Sequence, residues 1–233
     1  MAIPLIAIPV LNRPDLLAEC VASIDAAVER LLIIDNSPDG DMGDVAEAHL
    51  PPNVAELFVS EPPSNLGYTA SVNFAIKTAP GLPFWMVANA DTRFAPGDLD
   101  RIASLMDGPA WVGIVDWRVF GLTAEAVDLA GYWDENFFNY CSDADYEHRC
   151  ALAGVEVVRL DGETTHVGSV CYQGDARNAA NNARSYPLEL AYYSAKWGGG
   201  LRGGEAFATP FDRGGSVADW TGSRQRLAAL AWR

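Results

Sequence analysis

Residues 84–91 of the chain have the sequence FWMVANAD. An apolar segment from Phe84 to Ala88, typical of a buried strand, runs directly into Asn89, Ala90 and Asp91, and so ends in a carboxylate. Open α/β sheets bind ligands at the carboxyl ends of their strands, so this order of residues predicts a ligand site at Asp91. A plain turn before the next helix uses the same residue types, and the sequence leaves this alternative open.

Strands and helices alternate on both sides of this segment. Apolar runs predict strands in IPLIAIPVL from Ile3, RLLIID from Arg30, AELFVS from Ala55, PFWMVAN from Pro83 and WVGIV from Trp111. Apolar residues spaced three and four apart predict helices in NRPDLLAECVASI from Asn12, YTASVNFAIKTA from Tyr68 and PGDLDRIASLM from Pro96. The alternation predicts an α/β fold, a mostly parallel Rossmann-like sheet covered by helices.

Composition excludes several classes of partner. With 16 Lys and Arg against 31 Asp and Glu, the net charge of −15 argues against nucleic acid and against an anionic membrane surface. The longest apolar run, IPLIAIPVL, has nine residues and two prolines, too few to span a bilayer. Since no basic leader or cleavage site precedes this run, we predict a cytoplasmic protein.

The known short motifs exclude other chemistries. The first strand is followed by PVLNRP in place of a dinucleotide-binding G-x-G-x-x-G, and the chain has neither a P-loop nor a G-x-S-x-G sequence. The four cysteines lack C-x-x-C spacing, which favours reduced thiols over a zinc site. What remains is a set of carboxylates near strand ends and in the segment after Gly131: Asp35, Asp91, Asp134, Glu135, Asp143 and Asp145.

Six segments resemble, in order and spacing, the family 2 inverting glycosyltransferases of the GT-A fold. They are IPVLNRPDLLAECVASI, LLIIDNSPDG, NLGYTASVNFAI, WMVANADTRFAPGDLDRI, GYWDENFFNYCSDADYEHRCALAGVEVV and THVGS. The resemblance implies a GT-A domain in residues 1–170, with a nucleotide-sugar half in 1–92 and an acceptor half in 93–170. Residues 171–233 would be a C-terminal extension that packs on this domain.

The resemblance also implies a divalent metal, Mn²⁺ or Mg²⁺. Asn89-Ala90-Asp91 occupies the place of the family's Asp-x-Asp-like motif, with an amide in place of the first acid, and Asp91 would hold the metal. His166, in TTHVGS, occupies the place of a histidine ligand in related enzymes. Such a cation would stabilise the charge that grows on a departing diphosphate.

For the nucleotide, the resemblance implies a pocket at the ends of the first strands. Its residues would be Pro9, Leu11, Asn12, Arg13, Asp35, Asn65 and Gly67, together with Asn89, Ala90 and Asp91. Asp35 would accept a hydrogen bond from the base, which suits uracil, so a UDP-sugar is the expected donor. The alternative for Asp35 is a local turn in which its carboxylate caps the backbone.

For the acceptor, the resemblance implies a general base in an acidic pair before a helix. Ser142 stands for the first acid and Asp143 for the second, so Asp143 is the candidate base, with Asp145 second. The alternative role of Asp143 is a helix N-cap. Trp133, Asp134 and Glu135 would bind the acceptor, which is a glycan or a protein.

These inferences together predict a metal-dependent inverting glycosyltransferase of hexosyltransferase type. Two alternatives stay open: a catalytically inactive relative that binds carbohydrate or nucleotide, and a sugar-nucleotide pyrophosphorylase. The glycine-rich segments WGGGLRGGEAF and PFDRGGSVADW are compatible with three roles. They would close over the acceptor, wrap the domain, or form a contact between two copies in a homo-oligomer.

Overall fold

The computed structural model describes residues 2–167 and 176–212. These residues form nine strands: β1 (Ile6–Val10), β2 (Val28–Asp35), β3 (Val54–Ser60), β4 (Phe84–Ala88), β5 (Thr92–Arg93), β6 (Ala110–Ile114), β7 (Val119–Thr123), β8 (Glu156–Leu160) and β9 (Thr165–His166). Seven of them build one sheet in the order β3-β2-β1-β4-β7-β6-β8, while β5 and β9 form a separate pair.

The central sheet is parallel except at one strand. β1 pairs parallel with β2 and β4, β2 with β3, and β6 with β8. β7 runs antiparallel to both of its neighbours, β4 and β6. A single 3₁₀ turn at Asp116–Arg118 joins β6 to β7, and so short a connection permits only an antiparallel return. The predicted mostly parallel sheet is confirmed, and its antiparallel strand β7 was not predicted from the sequence.

The part of the chain that the structure describes has seven helices: α1 (Pro14–Ala22), α2 (Met42–Ala48), α3 (Gly67–Thr78), α4 (Asp98–Ala103), α5 (Ala124–Ala130), α6 (Ser142–Ala153) and α7 (Ala176–Trp197). Successive residues of β1 face opposite layers: Ile8 packs in one apolar cluster with Leu17 of α1, and Ala7 in the other with Val72 of α3. α2 was not predicted because it buries only Met42 and Ala46.

The strand order places a crevice beside β1. The chain proceeds from β1 to β2 and β3 on one side of the sheet, and β4 pairs with the other side of β1. At such a reversal the connections leave in opposite directions and open a space beyond the carboxyl ends of the strands. Asn89, Ala90 and Asp91 follow β4 at this point. None of the described helices combines the length and hydropathy needed to cross a bilayer.

Candidate functional site

A cleft of about 670 Å³ opens at the carboxyl ends of β1 and β4. It brings together residues that the sequence analysis selected separately: Pro9, Leu11, Asn65, Gly67, Asn89, Ala90, Asp91, Asp143 and His166. The remaining predicted site residues do not line it: Asn12, Arg13, Asp35, Trp133, Asp134 and Glu135. Seven of the ten predicted nucleotide-binding residues and the predicted general base therefore share one cavity, and the predicted acceptor residues lie outside it.

The pair β5–β9 brings Asp91 and His166 together. Thr92 lies opposite His166 in this pair, and the N–H of Val167 donates to the carbonyl oxygen of Asp91 at 3.0 Å. The Nε2 of His166 lies 2.9 Å from the Asp91 carboxylate, and the two side chains are 6% and 4% exposed. The side-chain nitrogen of Asn89 lies 3.4 Å from the same Nε2. A carboxylate oxygen and an imidazole nitrogen are ligands that Mn²⁺ accepts, so this pair fits a divalent cation.

This pair is small for a metal site made by protein alone. Among the described residues, no group of three or more His, Cys, Asp or Glu side chains converges in a way that would hold a metal. Magnesium sites that use substrate phosphates commonly have only one or two carboxylates. The residues at Asp91 are therefore consistent with a cation whose other ligands come from a phosphorylated ligand and water.

Gly67 begins α3 and packs directly against the loop of residues 137–141. Its φ is +72°, and a Cβ would lie 2.7 Å from the Phe138 ring and 2.8 Å from the Phe138 carbonyl oxygen. The side-chain oxygen of Asn65 accepts the N–H of Gly67 at 2.7 Å. That of Asn139 accepts the N–H of Tyr68 at 3.1 Å. The start of α3 therefore connects the loop after β3 to the loop before α6, both of which line the cleft.

Asp35 adopts the local turn that the sequence analysis left as an alternative. It is 1% exposed. Its carboxylate accepts the N–H groups of Ser37 at 2.8 Å and of Met42 at 3.2 Å. Both carboxylate oxygens of Asp35 accept backbone N–H groups, and Asp35 does not line the cleft, so it cannot contact a nucleobase bound there. Asn36 is the residue of this turn that lines the cleft, and the expected base contact of Asp35 is corrected accordingly.

Asn12 and Arg13 make local contacts outside the cleft lining. The N–H of Asn12 donates to Ser37 Oγ at 2.9 Å. The Arg13 guanidinium donates to Asp15 at 2.8 and 2.6 Å. The first contact joins the β1–α1 connection to the turn after β2, the second stays within the start of α1, and neither Asn12 nor Arg13 lines the cavity.

Asp143 lies in the first turn of α6 and lines the cleft. Its carboxylate accepts a hydrogen bond from Arg202 at 2.8 Å and is 35% exposed. The Arg202 guanidinium also lies 3.5 Å from Asp116. The N-cap of α6 is Cys141, and no side chain caps this helix. The alternative role of Asp143 as an N-cap is therefore not what the structure has.

Asp145, the second candidate base, belongs to a buried ionic cluster. It is fully buried. Its carboxylate accepts hydrogen bonds from Arg149 Nε at 2.9 Å and from Trp197 Nε1 at 2.8 Å. Lys196 Nζ lies 2.5 Å from the same carboxylate. An acceptor hydroxyl cannot reach Asp145 in this arrangement, and its candidacy as a base is corrected.

Asp134 and Glu135 also have protein partners. Lys196 Nζ lies 2.7 Å from Asp134, and the Tyr192 hydroxyl donates to Asp134 at 2.9 Å. Burial opposes ionisation of Asp134, but the Lys196 ammonium outweighs it, so the pKa of Asp134 lies below its ordinary value. Glu135 pairs with Lys77 at 3.1 Å. Both carboxylates fasten the loop before α6 to neighbouring helices, and neither faces the cleft.

Trp133 lies in the core. It is fully buried and stacks on Tyr146 with ring centroids 4.8 Å apart and an interplanar angle of 12°. An edge-on contact with Trp117 at 5.4 Å covers it further. The expected acceptor contact of Trp133 is therefore wrong, because its ring is packed between Tyr146 of α6 and Phe120 of the sheet.

The family model described as "Glycosyl transferase family 2" matches residues 5–139, more than half of the chain. The chain belongs to glycosyl transferase family 2. The family inferred from the six segments is thereby confirmed. No curated protein matches the sequence.

Solved structures of GT-A glycosyltransferases resemble this family 2 chain. The mannosyltransferase PcManGT from Pyrobaculum calidifontis matches with a TM-score of 0.55 at 16% identity, over 67% of this chain and 54% of that one. TarS of S. aureus matches with a TM-score of 0.55 at 15% identity, over 82% and 41%. Glucosyl-3-phosphoglycerate synthase of Mycobacterium tuberculosis matches with a TM-score of 0.52 at 12% identity, over 79% of each chain. This family 2 chain therefore has the GT-A fold, and it spans about half of the first relative's length and two fifths of the second's.

Helix α7 lies beyond the residues that the family model matches, yet it holds the loop before the candidate base. The Glu189 carboxylate is 4% exposed. One of its oxygens accepts the N–H groups of Phe138, Asn139 and Tyr140 at 3.1, 3.1 and 2.7 Å. These residues directly precede Cys141, which has a φ of +59°. A single side chain of α7 thus fixes the backbone that leads into α6 and Asp143.

The same helix supplies part of the cleft wall. Asn181, Asn182 and Tyr186 line the cavity opposite the sheet. Tyr186 is 43% exposed, and its ring contacts that of Tyr140 edge-on at 5.2 Å. None of these three residues was predicted from the sequence. The helical spacing of Glu189, Tyr193 and Trp197 was the available signal, because it places a carboxylate on an otherwise aromatic buried face.

Proposed function

We propose that this chain is a metal-dependent, inverting glycosyltransferase that moves a sugar from a UDP-sugar to an acceptor hydroxyl. The observation that carries the proposal is the shared cleft. Asp91 and His166 meet at its sheet end, and Asp143 lines the same cavity from α6. Transfer between two substrates requires that donor and acceptor groups lie in one enclosed space.

The donor end suits a nucleotide diphosphate sugar. Pro9, Leu11 and Asn36 provide an edge for a base and ribose, and the ends of β4 and β9 place Asp91 and His166 beyond it. These two residues would hold Mn²⁺ or Mg²⁺, which when bound supplies positive charge to the departing diphosphate. Among the GT-A relatives, PcManGT is in complex with GDP-Man and Mn²⁺, TarS with UDP-GlcNAc and the mycobacterial synthase with Mg²⁺ and UDP. We take UDP as the nucleotide on this support.

Asp143 is the proposed general base. An acceptor hydroxyl is a poor nucleophile at neutral pH and needs a carboxylate that removes its proton as the new bond forms. Arg202, which pairs with Asp143, is 48% exposed. The Arg202–Asp143 ion pair can therefore separate when an acceptor occupies the cleft. The neighbouring Cys141 does not act as a nucleophile, because burial and the charge of Asp143 raise the pKa of its thiol to about 11. One proposed base, with no protein nucleophile assigned among the described residues, favours inversion at the anomeric carbon.

The proposed acceptor is a glycan. The acceptor end presents neutral amides and aromatic rings, Asn181, Asn182, Tyr140 and Tyr186, in place of the charged pair expected from the sequence. Aromatic faces with adjacent hydrogen-bonding groups suit sugar rings. The cytoplasmic location, the hexosyl nature of the sugar and a homo-oligomeric state stay predictions from the sequence.

Nucleotide release from a panel of UDP-, GDP- and dTDP-sugars tests the proposal, with Mn²⁺ or with chelator. We expect release from a UDP-sugar that depends on metal, UDP affinity that falls when metal is removed, and loss of that difference in Asp91→Ala. Asp100→Ala, an exposed acid on α4 outside the cleft lining, is the control. Proton NMR of the first product should show the opposite anomer to the donor.

The alternatives have their own outcomes in this experiment. Binding of UDP without release from any sugar nucleotide would indicate an inactive relative, and formation of a nucleoside triphosphate with pyrophosphate would indicate a pyrophosphorylase. Equal UDP affinity with and without metal would contradict the metal dependence. Retention of the anomeric configuration would contradict the inverting mechanism.

A further inference from the structure

Arg118 lies beside the predicted metal motif although it is far from it in sequence. It ends the 3₁₀ turn before β7, and its carbonyl oxygen accepts the N–H of Asn89 at 2.8 Å. One residue further, Val119 of β7 lies opposite Ala88 of β4. The antiparallel strand β7 therefore delivers Arg118 to the carboxyl end of β4, where Asn89 and Asp91 begin the motif.

Arg118 lines the cleft and is exposed, and its side chain makes no hydrogen bond or ion pair with any residue that the structure describes. The other arginine among the described lining residues, Arg202, is engaged with Asp143 and Asp116. The two remaining ionisable residues of this kind in the described lining, Asp91 and His166, contact each other. Among the described lining residues, Arg118 is thus the arginine whose N–H groups are available to a ligand.

From this placement we infer that Arg118 binds the diphosphate of the donor and of the nucleotide product. The inference rests on the proposed function and adds a residue that the family motifs did not select. The motif has one carboxylate, and a cation from the neighbouring strand adds positive charge on the same side of the cleft. Guanidinium presents a planar fork of N–H donors that matches two phosphate oxygens at once.

The contact between Arg118 and the diphosphate affects the rate of sugar transfer. The bond between the anomeric carbon and the phosphate oxygen breaks with its electron pair left on the diphosphate, and the acceptor oxygen bonds to the same carbon. The acceptor proton passes to Asp143. Arg118 exchanges no proton; it lowers the energy of the negative charge that grows on the leaving group. The contact exists in the donor complex and strengthens as that charge develops.

Titration calorimetry without acceptor tests the inference, by comparing how tightly the protein binds a nucleoside diphosphate and the matching nucleoside. UDP and uridine are compared, as are GDP and guanosine, and dTDP and thymidine, and the diphosphate that binds wild type most tightly is used. Arg118→Gln should weaken that diphosphate about tenfold or more and leave the nucleoside unchanged. Arg118→Lys should recover part of the loss. Arg101→Gln, on α4 outside the cleft lining, should leave both affinities unchanged.

Each alternative result has a distinct meaning. Equal diphosphate affinity in wild type and Arg118→Gln would overturn the role of Arg118 and leave the proposed function standing. An equal loss for diphosphate and nucleoside would also overturn it, because Arg118 would then shape the pocket and not contact phosphate. If no diphosphate binds wild type, the proposed function and the inference both fail. An unchanged thermal midpoint of Arg118→Gln would establish that the fold is intact.

Discussion

The two ends of the cleft are built by different means. At the donor end, the site residues follow strands directly, and backbone pairing places them: β1 and β4 pair in the central sheet, and β5 pairs with β9. At the acceptor end, Asp143 and its loop are held by side chains of α7, through Glu189 and through the cluster of Asp145 and Lys196. The first arrangement depends on strand register, and the second on a few buried charges.

This difference predicts unequal tolerance to substitution. A strand ladder spreads its stabilisation over many hydrogen bonds, so a single side chain at the donor end is changed without loss of the fold. A buried ionic cluster leaves an uncompensated charge when one partner is removed, and that penalty is large. Substitutions in the buried ionic cluster at the acceptor end are therefore expected to affect stability, and those at the donor end to affect ligand affinity.

The largest effect on stability is expected from Asp145→Ala. This change leaves Arg149 and Lys196 buried without their shared carboxylate, at 3% and 4% exposure. We expect a loss of about 3–5 kcal/mol in the free energy of unfolding, measured by urea denaturation. Asp143→Ala, two residues earlier in an exposed pair, is the matched control and should cost less than about 1 kcal/mol. Equal losses in the two variants would mean that the buried cluster does not hold the acceptor end.

A smaller effect is expected from Glu189→Leu. Three adjacent N–H groups lose their acceptor, and we expect a loss of about 1–3 kcal/mol in the free energy of unfolding. Because the loop before Asp143 is no longer fixed, the rate of transfer should fall more than UDP affinity does. Glu189→Gln keeps an acceptor oxygen and should restore part of the rate. A rate and an affinity that fall equally would contradict a role confined to the acceptor end.

Gly67→Ala tests the contact between the two ends, with the smallest expected effect. The positive φ and the approach of Phe138 make a Cβ unfavourable here. We expect a loss of about 1–2 kcal/mol and a lower transfer rate. Gly81→Ala is the control, because a Cβ at Gly81 has no atom within 4 Å and its φ is not positive. A neutral Gly67→Ala would mean that the loop moves aside without cost.

Most of the lining residues at the sheet end of the cleft could be predicted from the sequence, whereas those that α7 contributes could not. Asn89 and Asp91 are adjacent to a strand, so their place at the sheet edge follows from the strand itself. The position of Asp134 depends on Lys196, and the two residues are joined by tertiary packing that no local pattern contains. Asp35 was misassigned because its turn and a base contact need the same residue type. Arg118 was not selected because β7 was not predicted.

The central claim is that Asp143 is the base of a cleft whose donor end works independently of it. Transfer rate and UDP affinity, measured side by side on wild type and Asp143→Asn, test this claim most directly. The substitution keeps the shape of the side chain and removes its basicity. The account predicts that transfer falls by about 10²–10⁴ while UDP affinity stays within about twofold. Transfer within about threefold of wild type would contradict it.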